Sequence, residues 1–519
     1  MGILYYGGRV YTMRHEGETA EAVFVQDGII QAIGSETELR GLYEITEEVH
    51  LRGGMMLPGL VDSHMHLIGH GERLMRLDLS DCRSYEEMLG LVRERAAQLQ
   101  PGEWILGDGW NENAFSDRKD IHRRDLDEIT QEHPVLLKRV CRHAALVNSY
   151  VLEKAGLHTG ISDPKGGKVG RGQDGLTGLL YEQAQELIAA IVPGPDDEYL
   201  QKALHTAITD CWKHGLVGCH TEDLNYYGGF DQVHRSFRHV IAEKPFKAHL
   251  LVHHEVAEER ANHEDTHYIE FGAMKAFADG SIGGRTALLS EPYSDQPDTN
   301  GVAVFERDEL AEIVAKARRL GMMVAIHTIG DLSFEYILDA IEQHPPQPGQ
   351  RDRIIHCQIL RGDLVQRAKG LPVVLDIQPV FVTSDFPSVI EKIGRERLPY
   401  AYAWKTLLEA GFLCAGGSDA PVERVNPFLG IYGAVARKSF FDGECYGPEQ
   451  RLTMFEAVRL FTYGSACAIS REHKRGMIAP GYEADFTVVD RDIFAIEPEA
   501  VQDTQVLMTV IDGTAVYTL

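Results

Sequence analysis

The chain has 519 residues, of which 44% are apolar and 25% charged. That is ordinary globular usage, with room for two or three domains, and it argues against a disordered chain. A formal charge of −27 speaks against nucleic acid or an anionic membrane as partner, since both demand a basic surface.

Residues 1–55 read as short strands at 3–6, 9–13, 22–26, 31–33 and 48–52, with the hairpin signal Asp27-Gly28 between two of them. Residues 476–519 read the same way, with strands at 484–489, 506–511 and 514–518 and Asp512-Gly513 at the last turn. Strands at both ends around a different pattern predict a small β-sandwich domain made of 1–55 and 476–519. Residues 56–475 would be inserted into it. Their alternation of short apolar runs with amphipathic helices is the pattern of a parallel α/β fold.

Eight candidate strands lie at 56–63, 216–221, 247–253, 271–278, 322–326, 353–356, 373–377 and 412–416. Helical runs at 199–214, 307–320, 334–343 and 403–410 separate several of them, and Thr453-x-x-Glu456 is a capping box opening a last helix. The expectation is a (β/α)8 TIM barrel with a long insertion after strand one, at about 67–199, plus the β-sandwich domain. Within the insertion, the glycine run from Gly166 to Gly172 lacks a Walker pattern and reads as a mobile lid or loop.

No run approaches the roughly 18 apolar residues of a membrane span. Residues 1–13 carry Arg9 and no cleavage signal, so no signal peptide is expected. The eight cysteines are scattered without a Cys-x-x-Cys pair, which fits reduced thiols in the cytoplasm. A small-molecule substrate is the expected partner, and a homodimer is the base-rate expectation for oligomeric state.

Functional groups of such a barrel sit at the C-terminal ends of its strands. Strand one ends in His64 and His66, which alternate onto one face of an extended chain. Strand five ends at His327, strand six at His356 and strand eight at Asp419, while strand four carries Lys275 inside an apolar run. Taken singly, each has a bland reading: a closing histidine is often structural, Asp419 fits a turn, and Lys275 could snorkel outward. Together the strand tips carry ligand-type side chains for a divalent metal. An ammonium cannot ligate a cation, but a lysine in apolar surroundings can lose its proton, and the neutral amine can then add carbon dioxide.

The segments from Leu57 to His66, Lys275 to Ser281 and Gly476 to Asp490 resemble signatures of the amidohydrolase superfamily, in the amidohydrolase-3 branch related to N-substituted formamide deformylase. The likeness spans nearly the whole chain. It implies two metal ions: His64, His66 and Asp419 holding one, His327 and His356 the other, and carboxylated Lys275 bridging them. Zinc is the default ion, with iron or manganese suited to similar ligands. Where many members read Asp-Gly-His, this chain has Cys141-Arg142-His143. Arg142 either meets an anionic substrate group or is a surface residue.

The resemblance implies hydrolysis of a non-peptide carbon–nitrogen bond in an amide, N-acyl or N-formyl compound, by hydroxide that the metals generate near neutral pH. Asp419 would take the proton and pass it to the leaving amine. Candidates for the substrate pocket are Trp110, Asn111, Glu112, Arg142, His143 and His220. Ester or lactone hydrolysis and amino-sugar deacetylation on the same site are alternatives, as is a metal-binding scaffold without catalysis.

Overall fold

The computed structural model describes residues 2–111, 115–117, 121–139, 144–164, 167–173 and 175–519. They fall into two compact units: Met1–His70 with Ala207–Leu519, and Gly71–Thr206.

The first unit contains eight parallel strands: β1 (Leu60–Met65), β2 (Leu216–Thr221), β3 (Lys247–His253), β4 (Ile269–Phe277), β5 (Val324–Thr328), β6 (Asp352–His356), β7 (Val373–Ile377) and β8 (Leu413–Gly416). Each is hydrogen-bonded to the next in sequence order. Every residue of β2, β3, β6 and β7 is buried, as for a parallel sheet covered on both faces. This is the TIM barrel expected from the sequence. Its ladder runs from β1 to β8 and leaves a seam between those two. The seam is sewn at the strand ends. Asp419 N donates to His64 O at 2.8 Å, and Asp62 Oδ1 accepts from Ser418 N at 3.1 Å. Gly417 must be glycine there, because a Cβ would lie 2.6 Å from His64 N.

The run expected as one strand at 56–63 is two. Met55–Pro58 pairs antiparallel with Phe486–Val489, and β1 begins only at Leu60. Gly59 makes the break: its N–H bonds Asp485 O at 2.8 Å, and a Cβ would lie 2.6 Å from the Val217 methyls. Conversely, the two strands expected at 3–6 and 9–13 are one, Gly2–Tyr11, with a bulge between Tyr6 and Val10 where Gly7 has φ 76°.

Strands from both chain ends form a single eight-stranded sheet. Turns from the two chain ends meet at Ala484: Ala484 N bonds Gly28 O at 2.8 Å, Gly513 N bonds Ala484 O at 2.7 Å, and the Tyr5 hydroxyl donates to Gly513 O at 2.9 Å. The sandwich is therefore one sheet curled over a shared core that includes Val10, Val25, Met56, Phe486 and Val510. Lys247 of β3 fastens it to the barrel by meeting Glu483, Asp485 and, at 3.0 Å, Asp512. Arg475 adds contacts to Glu483 at 2.7 Å and to Glu270 of β4 at 3.2 Å.

The second unit holds a six-stranded sheet. Its strand Gly167–Gly172 pairs with Gly175–Glu182, which corrects the lid reading of the glycine run. These glycines serve close packing: a Cβ would lie 2.2 Å from Ala184 N at Gly167 and 2.3 Å from Thr177 Oγ1 at Gly170. The unit's limits, 71 and 206, are also shifted from the expected 67 and 199. The helices Leu67–Met75 and Asp197–Lys213 run across both limits, so hydropathy had no break to mark there. Among the described residues no helix is long and apolar enough to cross a membrane.

Candidate metal centre

His64, His66 and Asp419 each offer a donor atom, and these three lie within 4.8 Å of one another. Asp419 Oδ1 is 3.5 Å from His64 Nε2 and 3.6 Å from His66 Nε2. These three residues stand at the C-terminal ends of the two strands that flank the barrel seam. Asp419 has φ 59° and His356 φ 76°, left-handed conformations that are costly for non-glycine residues and cluster at functional sites.

His327 and His356 stand beside this group. Ring centroids are 4.5 Å apart for His327–His356 and 5.4 Å for His64–His356. Three rings have their tautomers set by oxygen acceptors. His66 Nδ1 donates to Glu222 O at 3.0 Å, His327 Nε2 to Gly280 O at 3.0 Å, and His356 Nδ1 to Gln378 Oε1 at 2.6 Å. The second nitrogen of each ring is thereby left as a lone-pair donor, the arrangement metal-binding histidines require.

Electrostatics agree with that protonation pattern. Burial lowers the pKa of His64 and of His327, helped by the Lys275 charge. Burial likewise brings His356 down to about 4. For His66 burial works downward too, but hydrogen bonding and charge from Asp419 outweigh it and hold the ring at about 9. Burial would raise the Asp419 carboxyl, yet His66 and His356 keep it below the ordinary range. The centre is thus a set of neutral imidazoles around an anionic carboxylate, with His66 the exception until a cation competes for its ring. This donor set fits a divalent ion of the zinc, iron or manganese type.

Lys275 is fully buried in β4, with Nζ 3.3 Å from Glu222 Oε2 and 4.4 Å from the centre of the Phe277 ring. Glu222 was not among the sequence candidates. It directly follows β2, so the strand-tip rule that found His327 and His356 would also have found it. Gln378, just beyond β7, and Asp279, just beyond β4, follow the same rule. Asp279 accepts from the backbone of Leu288, Ile329 and Gly330 at 2.8–3.0 Å and from Ser333 Oγ at 2.7 Å.

The expected pocket residues are dispersed. Trp110 is 2% exposed in the core of the second unit, its indole N–H donating to Leu137 O at 3.2 Å, and Asn111 follows it half-buried. His220 is buried in β2 and lines a small cavity of about 30 Å³ with Gly59, His249, Glu270 and Arg475, towards the N-terminal ends of the strands rather than at the metal-site end. Glu112, Arg142 and His143 lie outside the described residues.

A sequence profile of the Amidohydro_3 amidohydrolase family matches residues 47–517. The chain belongs to the amidohydrolase family. It is 48% identical over its whole length to a Bacillus subtilis (strain 168) protein named amidohydrolase YtcJ, covering 99% of that protein. It is 25% identical to the N-substituted formamide deformylase of Arthrobacter pascens, across 99% of this chain and 98% of that enzyme. Among solved structures, an uncharacterized metal-dependent hydrolase of Pyrococcus horikoshii OT3 superposes with a TM-score of 0.78 at 27% identity, covering 96% of this chain and 99% of that one. This amidohydrolase chain is accordingly a hydrolase with a metal cofactor, and His64, His66 and Asp419 form a cluster whose donor atoms could hold a metal ion.

Proposed function

We propose that this chain hydrolyses a carbon–nitrogen bond other than a peptide bond in a small-molecule N-acyl or N-formyl amine. Water is consumed, and a carboxylic acid and an amine are released. The observation that carries the reading is the triad of His64, His66 and Asp419 beside His327, His356 and Lys275 at one end of the barrel. The relation to an N-substituted formamide deformylase supports the bond type.

In this reading His64, His66 and Asp419 would hold one zinc ion and His327 and His356 a second, with Lys275, once carboxylated, as a further ligand. Such ions acidify water and polarise a carbonyl group. Asp419 is kept ionised by His66 and His356, so it is the base that takes the proton from attacking water. It then returns that proton to the departing nitrogen. Gln378, Gly280 O and Glu222 O hold three of the imidazoles in the orientation this needs.

Turnover of a panel of N-acyl and N-formyl amines tests the assignment. Asp419→Asn is expected to abolish turnover while metal stays bound, and surviving turnover would remove Asp419 as the shuttle. Lys275→Ala is expected to lower metal content. Unchanged metal content in that variant, measured by elemental analysis, would remove the lysine bridge.

A further inference from the structure

Three aromatic rings from three different parts of the barrel stand against three of the metal-site histidines. Tyr226, on the loop after β2, has its ring centroid 6.3 Å from that of His66. Phe277, at the end of β4, is 5.4 Å from His327. Phe381, after β7, lies parallel to His356 at 5.9 Å with 13° between the planes. Phe381 is buried and Phe277 half-buried, but Tyr226 keeps 46% of its surface exposed. Val422, three residues beyond Asp419, keeps 63%. Large apolar surface left open beside a reactive centre is surface available to a ligand.

Tyr226 is not a loose side chain. Its hydroxyl donates to Glu222 Oε1 at 3.0 Å, and the other oxygen of Glu222 faces Lys275 Nζ. The ring is therefore tethered from inside the centre, which lowers the entropy lost when a ligand packs on it. The charged groups that act on Tyr226 are Glu222, Asp223 and Glu255, all acidic, so an anionic substituent would be repelled. Each of these acids already accepts a hydrogen bond within the protein: Glu222 from the Tyr226 hydroxyl itself, Asp223 from the Thr221 hydroxyl at 2.7 Å, and Glu255 from the Asn225 amide at 2.8 Å. What Tyr226 offers a substrate is its apolar face.

We propose that the centre selects amides bearing an uncharged aromatic or bulky apolar substituent, with Tyr226 as the specificity-determining residue. This rests on the amide-hydrolase reading above. The test is steady-state hydrolysis by the metal-loaded full chain of N-phenethylformamide, N-methylformamide, N-(2-aminoethyl)formamide and N-formylglycine. The phenethyl compound is expected to have the highest kcat/KM. In Tyr226→Ala the phenethyl-to-methyl ratio of kcat/KM is expected to fall about tenfold, the scale of one aromatic contact, through KM rather than kcat. Tyr226→Phe, which keeps the ring, should retain the preference. A wild-type preference for the aminoethyl or glycine compound would overturn the proposal, as would an equal loss for all four substrates in Tyr226→Ala. If no compound is turned over, the amide reading fails separately. Calorimetric binding of phenethylamine then decides the role of Tyr226: weaker binding to Tyr226→Ala than to wild type supports it, and equal affinity overturns it.

Discussion

Gln378 shows how much of the centre rests on residues that would never touch an ion. It is 1% exposed, and its side-chain oxygen takes the Nδ1 proton of His356 at 2.6 Å. Without that acceptor the His356 ring has no fixed tautomer, and its second nitrogen is not held towards His64 and His327. Gln378→Leu is expected to weaken metal binding about 10- to 100-fold with little change in fold. Competition against a chelator of known affinity measures this, and unchanged affinity would make Gln378 packing alone. The sequence marked the metal-site histidines because each closes an apolar run. Gln378 and Glu222 satisfy the same strand-tip rule, but glutamine and glutamate are common surface residues, so residue type alone did not single them out. His220 misled for the opposite reason. Its type suited a pocket, but in β2 it stands two positions before Glu222, on the same side of the strand and one layer deeper in the barrel, where its ring lies 5.1 Å from that of His249 rather than at the centre.

At the scale of elements, β4 carries Lys275 near its C-terminal end and Glu270 near its N-terminal end, so one strand serves both the centre and the attachment of the curled sheet. Burial pushes the Glu270 carboxyl up, but His249, Arg475 and Arg471 outweigh it and hold the group at about 2. A carboxyl with a depressed folded pKa stabilises the fold above its unfolded value, and the effect is lost as pH falls towards the folded value. Glu270→Gln is therefore expected to cost about 3 kcal/mol at pH 7. The cost should shrink as pH falls below about 4.5 towards 2, where the wild-type group takes up a proton as well. Urea unfolding of both proteins across that range checks the sign. The barrel strands were legible as elements because their apolar runs are continuous. The joint at Gly59 was not, since the run passes through it without a polar residue. Only the approach of Val217 and Asp485 reveals why the chain changes sheets there. The strand at 167–172 was missed because glycine reads as punctuation in a sequence, whereas here it permits close contact between segments.

For the molecule as a whole, the seam between β1 and β8 links stability to the metal. The proposed ligands His64 and His66 belong to one side and Asp419 to the other, while the ladder between these strands is absent. An ion held by both sides joins them as a cross-strand bond would. Its binding to the folded state adds about 2.7 kcal/mol when free metal is a hundredfold above Kd. Stripping the metal with chelator is expected to lower Tm and to speed amide hydrogen exchange at residues 60–66 and 413–419 more than in β3 or β6. Uniform acceleration along all eight strands would show that the seam has no special dependence on the ion.

The curled sheet has a further consequence for how the protein is made. Met55–Pro58 pairs with Gly2–Tyr11 on one side and with Phe486–Val489 on the other. On the ribosome the first of these neighbours emerges early, and the second only after the whole barrel has been synthesised. Through that interval Met55–Pro58 is an unpaired strand edge with four side chains destined for burial, and such edges recruit other chains. Yield in a cell therefore depends on how well this edge is sheltered during translation, separately from the stability of the finished fold.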